Sequence, residues 1–279
     1  MKNIIKIMIC GLLVTLLQTS CDLDRFPYDS VVAENVTVGA AESMTLGSYA
    51  RMKAENYFKV LFYVGEFSSD NVTLSGTTSD PLADFYLYRR SNTNSRTAEV
   101  WRDTYRTLNN INMLTPILEA YEGPEQRHID HLLGENLLMR AQLFFQLNNI
   151  FGRPYSDANG AANNLGIPIK TVFDANVAPP RSSVADVYKQ VIDDATRAAD
   201  LMERWGGDVP KSNIFISQEV AWALLSRVYL YMATGKMQRG MPIWLLIPDV
   251  ILCCKTLPIE LIRSMFPKRT QKRYGRNGC

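Results

Sequence analysis

The stretch HIDHLLGENLLMRAQLFFQLNNIF, residues 128–151, decides the fold class. Its apolar side chains recur at steps of three and four residues, which is the spacing of one face of an α-helix. They are Leu132, Leu133, Leu137, Leu138, Ala141, Phe144, Phe145 and Ile150. Gly152 and Pro154 follow, and these residue types end helices. The sequence therefore predicts a long helix from about His128 to Phe151.

The segment before this helix has the same periodicity. Pro116 lies inside it and should kink or shorten its last turns, because proline lacks the backbone N–H that a helix needs. Gly123 and Pro124 end the segment, and the short polar turn makes the two helices an antiparallel hairpin. The apolar residues of this first helix are Trp101, Tyr105, Leu108, Ile111, Leu114, Ile117 and Tyr121.

A second helix pair is predicted further along the chain. Residues 152–182 contain three Gly and four Pro and have no helical period, so we expect an irregular excursion there. Ser183 with Asp186 is a capping signal for the next helix, and Ser217 is a candidate N-cap for the last one, which Gly235 ends. No run of alternating residues is long enough for a sheet. The sequence thus predicts an all-α fold in which helix pairs stack on one another.

The chain before these helices holds the candidate binding residues. Residues 38–67 are loosely helical, and residues 68–95 form a loop rich in Ser, Thr, Asn and Asp. Sugar binding needs aromatic faces for pyranose rings, and charged or amide groups for hydroxyls. The loop brings such groups together, and its candidate ligand-binding residues are Tyr86, Tyr88, Arg89, Arg90, Asn92 and Asn94. The alternative is that these aromatic side chains pack the loop onto the body.

Catalytic and metal chemistry have little support in the sequence. The two histidines, His128 and His131, are expected to be solvent-facing polar residues, because a metal site would need further ligands. No phosphate loop or nucleophile motif occurs, so we expect no enzyme activity and no cofactor. Trp101, Phe144 and Phe145 lie on apolar stripes and should be core residues. Glu135 and Arg140 are expected to make structural polar contacts.

The N-terminus is typical of an exported protein. Lys2 and Lys6 precede an apolar run of eleven residues, which is too short to span a bilayer and is typical of a signal peptide. Small polar residues lead to Cys21, as in a bacterial lipobox, although Gln18 stands where that motif usually has Leu. We therefore expect a lipoprotein signal peptide at residues 1–20 and a lipid on Cys21. The alternative is an ordinary signal peptide with an incidental cysteine.

The net charge and the number of cysteines both differ between residues 1–236, the body, and residues 237–279, the tail. Residues 1–236 carry 22 Lys and Arg against 26 Asp and Glu, a net charge of −4 that gives no reason to expect nucleic acid. Residues 237–279 have a net charge of +6 and contain three of the five cysteines. With no cysteine between residues 22 and 252, the body depends on its core and not on disulfides.

Four segments in this order resemble the SusD/RagB-like outer-membrane nutrient-binding lipoproteins of Bacteroidetes. They are VWRDTYRTLNNINML (100–114), GENLLMRAQLFFQLNNIFGRPYS (134–156), PRSSVADVYKQVIDDATRAADLM (180–202) and EVAWALLSRVYLYMATGK (219–236). The resemblance implies an α-helical domain of tetratricopeptide-like helix pairs with irregular loops at residues 21–236. It ends at about Lys236, while family members continue. We therefore expect residues 237–279 to be an aberrant tail of no assigned fold, read from a shifted frame.

The resemblance also implies a function. A glycan-binding lipoprotein would sit on the surface side of the outer membrane, held by its lipid anchor. It would deliver oligosaccharides or another nutrient to a partner, the SusC-like TonB-dependent transporter. Asp22 and Asp24 resemble the surface-export signal of such lipoproteins. The alternatives are a helical-repeat scaffold that binds proteins or peptides, and a non-functional truncated remnant.

Overall fold

The computed structural model describes residues 36–74, 76, 81–89, 92–174, 176–203 and 215–233. The chain divides into two units, residues 1–36 and 37–279, and the first contributes only Val36 to the described residues. The predicted signal peptide, the predicted lipid site at Cys21 and the tail at 237–279 lie outside the described residues, and those expectations stay predictions.

The described residues form seven α-helices, which confirms the all-α prediction. Their bounds are α1 (Val38–Met52), α2 (Glu55–Phe67), α3 (Ala83–Tyr86), α4 (Ser95–Glu119), α5 (Gln126–Phe151), α6 (Val184–Glu203) and α7 (Gln218–Ala233). The loosely helical stretch 38–67 is two helices, because the extended backbone of Ala54 interrupts the hydrogen-bonded ladder. Helix α4 continues through Pro116 and ends at Glu119, before Gly123 and Pro124.

The helices pack as successive pairs around α5. Helix α5 packs against α4 on one side and α6 on the other, while α1 and α2 cover α4, and α7 follows α6. The residues of α5 from His131 to Ala141 are all buried, so this helix forms the centre of the core. None of the described helices is long and apolar enough to cross a membrane.

Two capping predictions agree with the observed helix ends. The Ser183 hydroxyl accepts from the Asp186 backbone N–H at 3.1 Å and donates to its carboxylate at 2.6 Å, and α6 begins one residue after Ser183. Ser217 directly precedes α7, and its hydrogen bond with Glu219 lowers the pKa of that carboxyl. Both helices therefore begin where the sequence indicates, and at α6 the Ser183 side chain satisfies a backbone donor that has no partner within the helix.

The excursion at 152–182 is irregular, as predicted. An isolated antiparallel bridge pairs Leu165 with Ser183, and the Arg181 side chain donates to the carbonyls of Gly166, Leu165 and Phe151. The Tyr105 hydroxyl on α4 donates to the Pro168 carbonyl at 2.7 Å. These bonds fasten the excursion to the helices although it has no regular structure of its own.

Candidate functional site

The predicted binding residues lie on a short turn before α4. Tyr86 is half-buried in α3, whereas Tyr88, Arg89 and Asn92 are exposed. Arg90 lies outside the described residues. Since Tyr88 and Arg89 are adjacent and both open to solvent, they can contact a ligand together. We call the surface of Tyr86, Tyr88, Arg89 and Asn92 the loop surface.

Asn94 has a different role from the one that sequence composition indicates. It is the N-cap of α4, and its side-chain oxygen accepts from the Thr97 backbone N–H at 3.2 Å. Its amide nitrogen donates to the Pro81 carbonyl and to the Asp84 carboxylate, both at 2.9 Å. Asn94 is buried and its amide is engaged on both sides, so it positions the loop surface and is not offered to a ligand.

Tyr88 has the geometry of a stacking platform. Its hydroxyl donates to the Ser68 carbonyl at the end of α2, while the residue as a whole is 74% exposed. Its φ of +52° lies in the left-handed region, which costs a non-glycine residue conformational energy. Such strain persists where the surrounding structure over-determines it, and it is concentrated at functional sites. The ring is therefore held at its hydroxyl end with its surface open to solvent.

The aromatic residues of the helices are mostly core residues. Phe144 and Phe145 are buried, which confirms their predicted place. Trp101 is half-buried at the N-terminal half of α4, with its ring centroid 4.9 Å from those of Phe151 and Tyr105. Trp101 thus packs the C-terminal end of α5 against α4 while part of its side chain stays accessible.

The charged residues inside the helix bundle are structural. Arg140 on α5 forms two hydrogen bonds to the Asp194 carboxylate on α6, at 2.8 and 2.7 Å, and a third bond to Asn112 on α4 at 3.3 Å. One buried guanidinium therefore joins three helices, which confirms the expected structural role of Arg140. Charges are buried in proteins only when they are paired in this way.

Glu135 joins α5 to α1 through a second polar cluster. The Tyr49 hydroxyl donates to Glu135 at 2.8 Å, and the Ile216 backbone N–H donates to the same hydroxyl at 3.0 Å. Burial and the negative charge of Glu135 raise the pKa of Tyr49 above its ordinary value, so the hydroxyl remains a donor. Glu135 thus has the structural role predicted for it.

One histidine prediction was wrong. His131 is buried, and its Nε2 lies 3.1 Å from Glu135 one helical turn later, because α5 turns this residue inward. His128 is half-buried, with Nε2 3.0 Å from Glu42. Within the described residues, no group of three His, Cys, Asp or Glu side chains could hold a metal ion.

A concave surface that the sequence did not indicate lies beside the C-terminal half of α4. It has a volume of about 420 Å³, and α4, Arg140 and residues 171–173 of the excursion line it. Its two walls come from segments that are far apart in sequence, so no local motif could have indicated it. We call it the α4 cleft.

Similarity to known proteins agrees with this architecture. A family model described as SusD-like, starch-binding associating with outer membrane, matches residues 29–230. A solved SusD superfamily protein from Bacteroides thetaiotaomicron VPI-5482 has a TM-score of 0.64 at 26% identity, covering 77% of this chain and 46% of that one. A SusD superfamily protein from Bacteroides vulgatus ATCC 8482 has a TM-score of 0.64 at 24% identity, covering 82% of this chain and 51% of that one.

A further solved structure is called a putative sugar binding protein. It comes from Bacteroides vulgatus ATCC 8482 and has a TM-score of 0.63 at 24% identity, covering 81% of this chain and 48% of that one. No curated protein matches the chain. The chain spans about half the length of the solved structures that it resembles. Because the family match covers residues 29–230, well over half of the sequence, this chain belongs to the SusD-like family.

Proposed function

We propose that this protein is a glycan-binding lipoprotein of the outer membrane that captures an oligosaccharide and passes it to a SusC-like TonB-dependent transporter. The observation that carries the glycan part is Tyr88, whose ring is open to solvent while its hydroxyl is held. The family description, starch-binding and associating with the outer membrane, supports the ligand class and the location. A solved neighbour named a laminarin binding SusD-like protein shares the fold.

The loop surface supplies the two kinds of contact that a sugar needs. The Tyr88 ring offers an apolar face for the C–H side of a pyranose, and the exposed Arg89 and Asn92 offer donors for its hydroxyls. The Arg89 backbone N–H donates to the Asp84 carbonyl at 2.8 Å and the Tyr88 hydroxyl donates to the Ser68 carbonyl, so the Tyr88 ring and the backbone at Arg89 are held in place. Held side chains lose less entropy when they bind, and this increases affinity.

The mechanism that we propose is binding and delivery, with no bond broken. A glycosidase would need two carboxylates facing each other across a sugar. Asp193 and Asp194 are adjacent on α6, but Asp194 is buried against Arg140, so the two do not form such a pair. The loop surface supplies stacking and hydrogen bonding, which is sufficient for a capture protein.

The double variant Tyr88→Ala with Arg89→Ala tests the loop surface. We expect it to weaken glycan binding by at least about tenfold, because stacking and charged hydrogen bonds are each worth about 1 kcal/mol or more. Isothermal titration calorimetry against a glycan that the wild-type chain binds measures this, with helical circular dichroism as the folding check. Phe58→Ala removes another exposed aromatic side chain and should leave binding unchanged. Unchanged affinity in the double variant would reject the loop surface.

Cys21→Ser tests the anchor. We expect the wild-type chain to incorporate labelled palmitate and to fractionate with membranes, and the variant to do neither, because Cys21 is the thiol that a lipoprotein pathway would acylate. Metabolic labelling followed by membrane fractionation measures both. Labelling of the variant at the wild-type level would overturn this assignment and leave the loop surface unaffected.

A further inference from the structure

The α4 cleft has one apolar wall that is open to solvent. Val172 and Phe173 of the excursion are 59% and 57% exposed, and Met113 faces them from α4. Together these three side chains give the concavity an apolar wall, and ligand pockets are lined mainly by side chains of this kind. The cleft volume, about 420 Å³, lies in the range of about 300–1,000 Å³ that is typical of ligand sites.

The floor of the cleft carries hydrogen-bond donors that the described residues leave unused. Arg140 lines the cleft and is only 6% exposed. A guanidinium has five N–H donors, and those of Arg140 make two bonds to Asp194 and one to Asn112. Two donors thus have no acceptor among the described protein groups. A ligand oxygen that enters the cleft can accept from these donors in place of water.

The two walls are fixed relative to each other. The Asn112 amide nitrogen on α4 donates to the Lys170 carbonyl at 2.8 Å, directly before the segment that forms the opposite wall. The Asn112 side-chain oxygen accepts from Arg140. One asparagine therefore connects the floor and both walls, and the cleft exists before a ligand enters it. Preformed sites of this kind bind with little ordering cost.

The charges around the cleft are already compensated. Asp194 neutralises Arg140 from behind the floor, and Arg197 lies 2.7 Å from Glu119 at the rim. A ligand with its own charge would lose hydration and find no unpaired charge among the charged residues that line the cleft, Arg140 and Glu119, whereas hydroxyl oxygens need only the two spare donors. The arrangement therefore favours a neutral ligand with one apolar face and hydroxyls on its edge.

We propose that the α4 cleft is a second binding site, for one neutral pyranose ring whose hydroxyls accept from Arg140 and whose apolar face lies against Phe173. Only the ligand class of this inference rests on the proposed function, because the α4 cleft is a different surface from the loop surface. Asn112 on α4 stands eighteen residues after the N-cap Asn94, which places the cleft about 27 Å along the helix from the loop surface.

The methyl resonance of Met113 tests the proposal directly. In the full chain labelled with ¹³C-methyl methionine, and with the signal assigned through Met113→Leu, methyl glucoside should shift the Met113 resonance in a saturable way. In Phe173→Ala, we expect at least about tenfold weaker binding at this signal, because the stacking face is lost. Val177→Ala, an exposed apolar change elsewhere in the excursion, should leave the titration unchanged.

Four outcomes separate this site from its alternatives. Tyr88→Ala should leave the Met113 titration intact, so loss of binding at the loop surface does not affect the cleft. No shift of the Met113 signal at concentrations up to about 100 mM, or an unchanged shift in Phe173→Ala, would overturn the proposal. Tighter binding of glucuronate than of methyl glucoside by more than about tenfold would overturn the neutral ligand class.

Discussion

Asp194→Ala should lower the free energy of unfolding by about 3–5 kcal/mol, because it leaves a buried guanidinium without its counter-charge. Arg140 and Asp194 are 6% and 4% exposed, and the carboxylate accepts two bonds from the guanidinium. Asp194 also accepts from the Gln190 amide at 3.0 Å. The variant removes the acceptor for all three bonds, and water cannot easily replace it in the packed interface of α5 and α6.

The neighbouring aspartate is a matched control. The Asp193 side chain is 56% exposed and pairs with Lys189 at 3.0 Å on the surface of α6, so Asp193→Ala should cost no more than about 1 kcal/mol. Urea unfolding followed by circular dichroism measures both variants. Replacing Arg140 and Asp194 together with leucine should be less destabilising than Asp194→Ala alone, since no unpaired charge remains. Equal effects of the two single alanine variants would show that the buried pair does not stabilise the fold.

The helices could be predicted closely because their signals are local. The apolar period of residues 128–151 predicted a helix that the structure extends by two residues, to Gln126. Ser183 and Asp186 predicted the start of α6, because a capping pair acts over three residues of sequence. The pairing of α4 with α5 followed from the short turn between Glu119 and Gln126. The fold class could therefore be predicted from the apolar periodicity and from the residues that cap and end helices.

The polar contacts could not be predicted, because their partners are distant in sequence. Arg140 and Asp194 stand 54 residues apart, and Tyr49 and Glu135 stand 86 apart. His131 has a polar side chain and lies near the start of a helix, but α5 is packed on several sides and turns it inward beside Glu135. Surface exposure is thus a poor assumption for polar residues on a central helix.

The candidate sites also differ in whether local sequence indicates them. Tyr88 and Arg89 are candidate ligand residues because aromatic and basic residues are adjacent in the loop, and both are exposed in the structure. The amide of Asn94 alone makes it a candidate ligand residue in the sequence, although a loop asparagine directly before a helical segment is also a typical N-cap. The α4 cleft was missed because Phe173 and Arg140 meet only after the excursion folds back onto α4.

Gly134→Ala should destabilise the fold by about 1–3 kcal/mol, although alanine is the better helix former by about 1 kcal/mol. A Cβ at Gly134 would lie 2.8 Å from the Met202 Cγ and 3.0 Å from the Ala198 carbonyl oxygen, both on α6. The Met202 side chain can move, but the backbone of α6 cannot without disturbing its packing on α5. Glycine is therefore needed at this position for close approach of the two helices, and not for an unusual backbone angle.

Gly47→Ala is the same substitution at another glycine, and we expect it to change the free energy of unfolding in the opposite direction. Gly47 lies on the exposed face of α1 with nothing within 4 Å of an added Cβ, so alanine there should stabilise the protein by about 0.5–1 kcal/mol. Thermal and urea unfolding of both variants measures the difference. Opposite signs would establish that contact between α5 and α6 requires Gly134. A stabilising Gly134→Ala would mean that the two helices are free to move apart at this position.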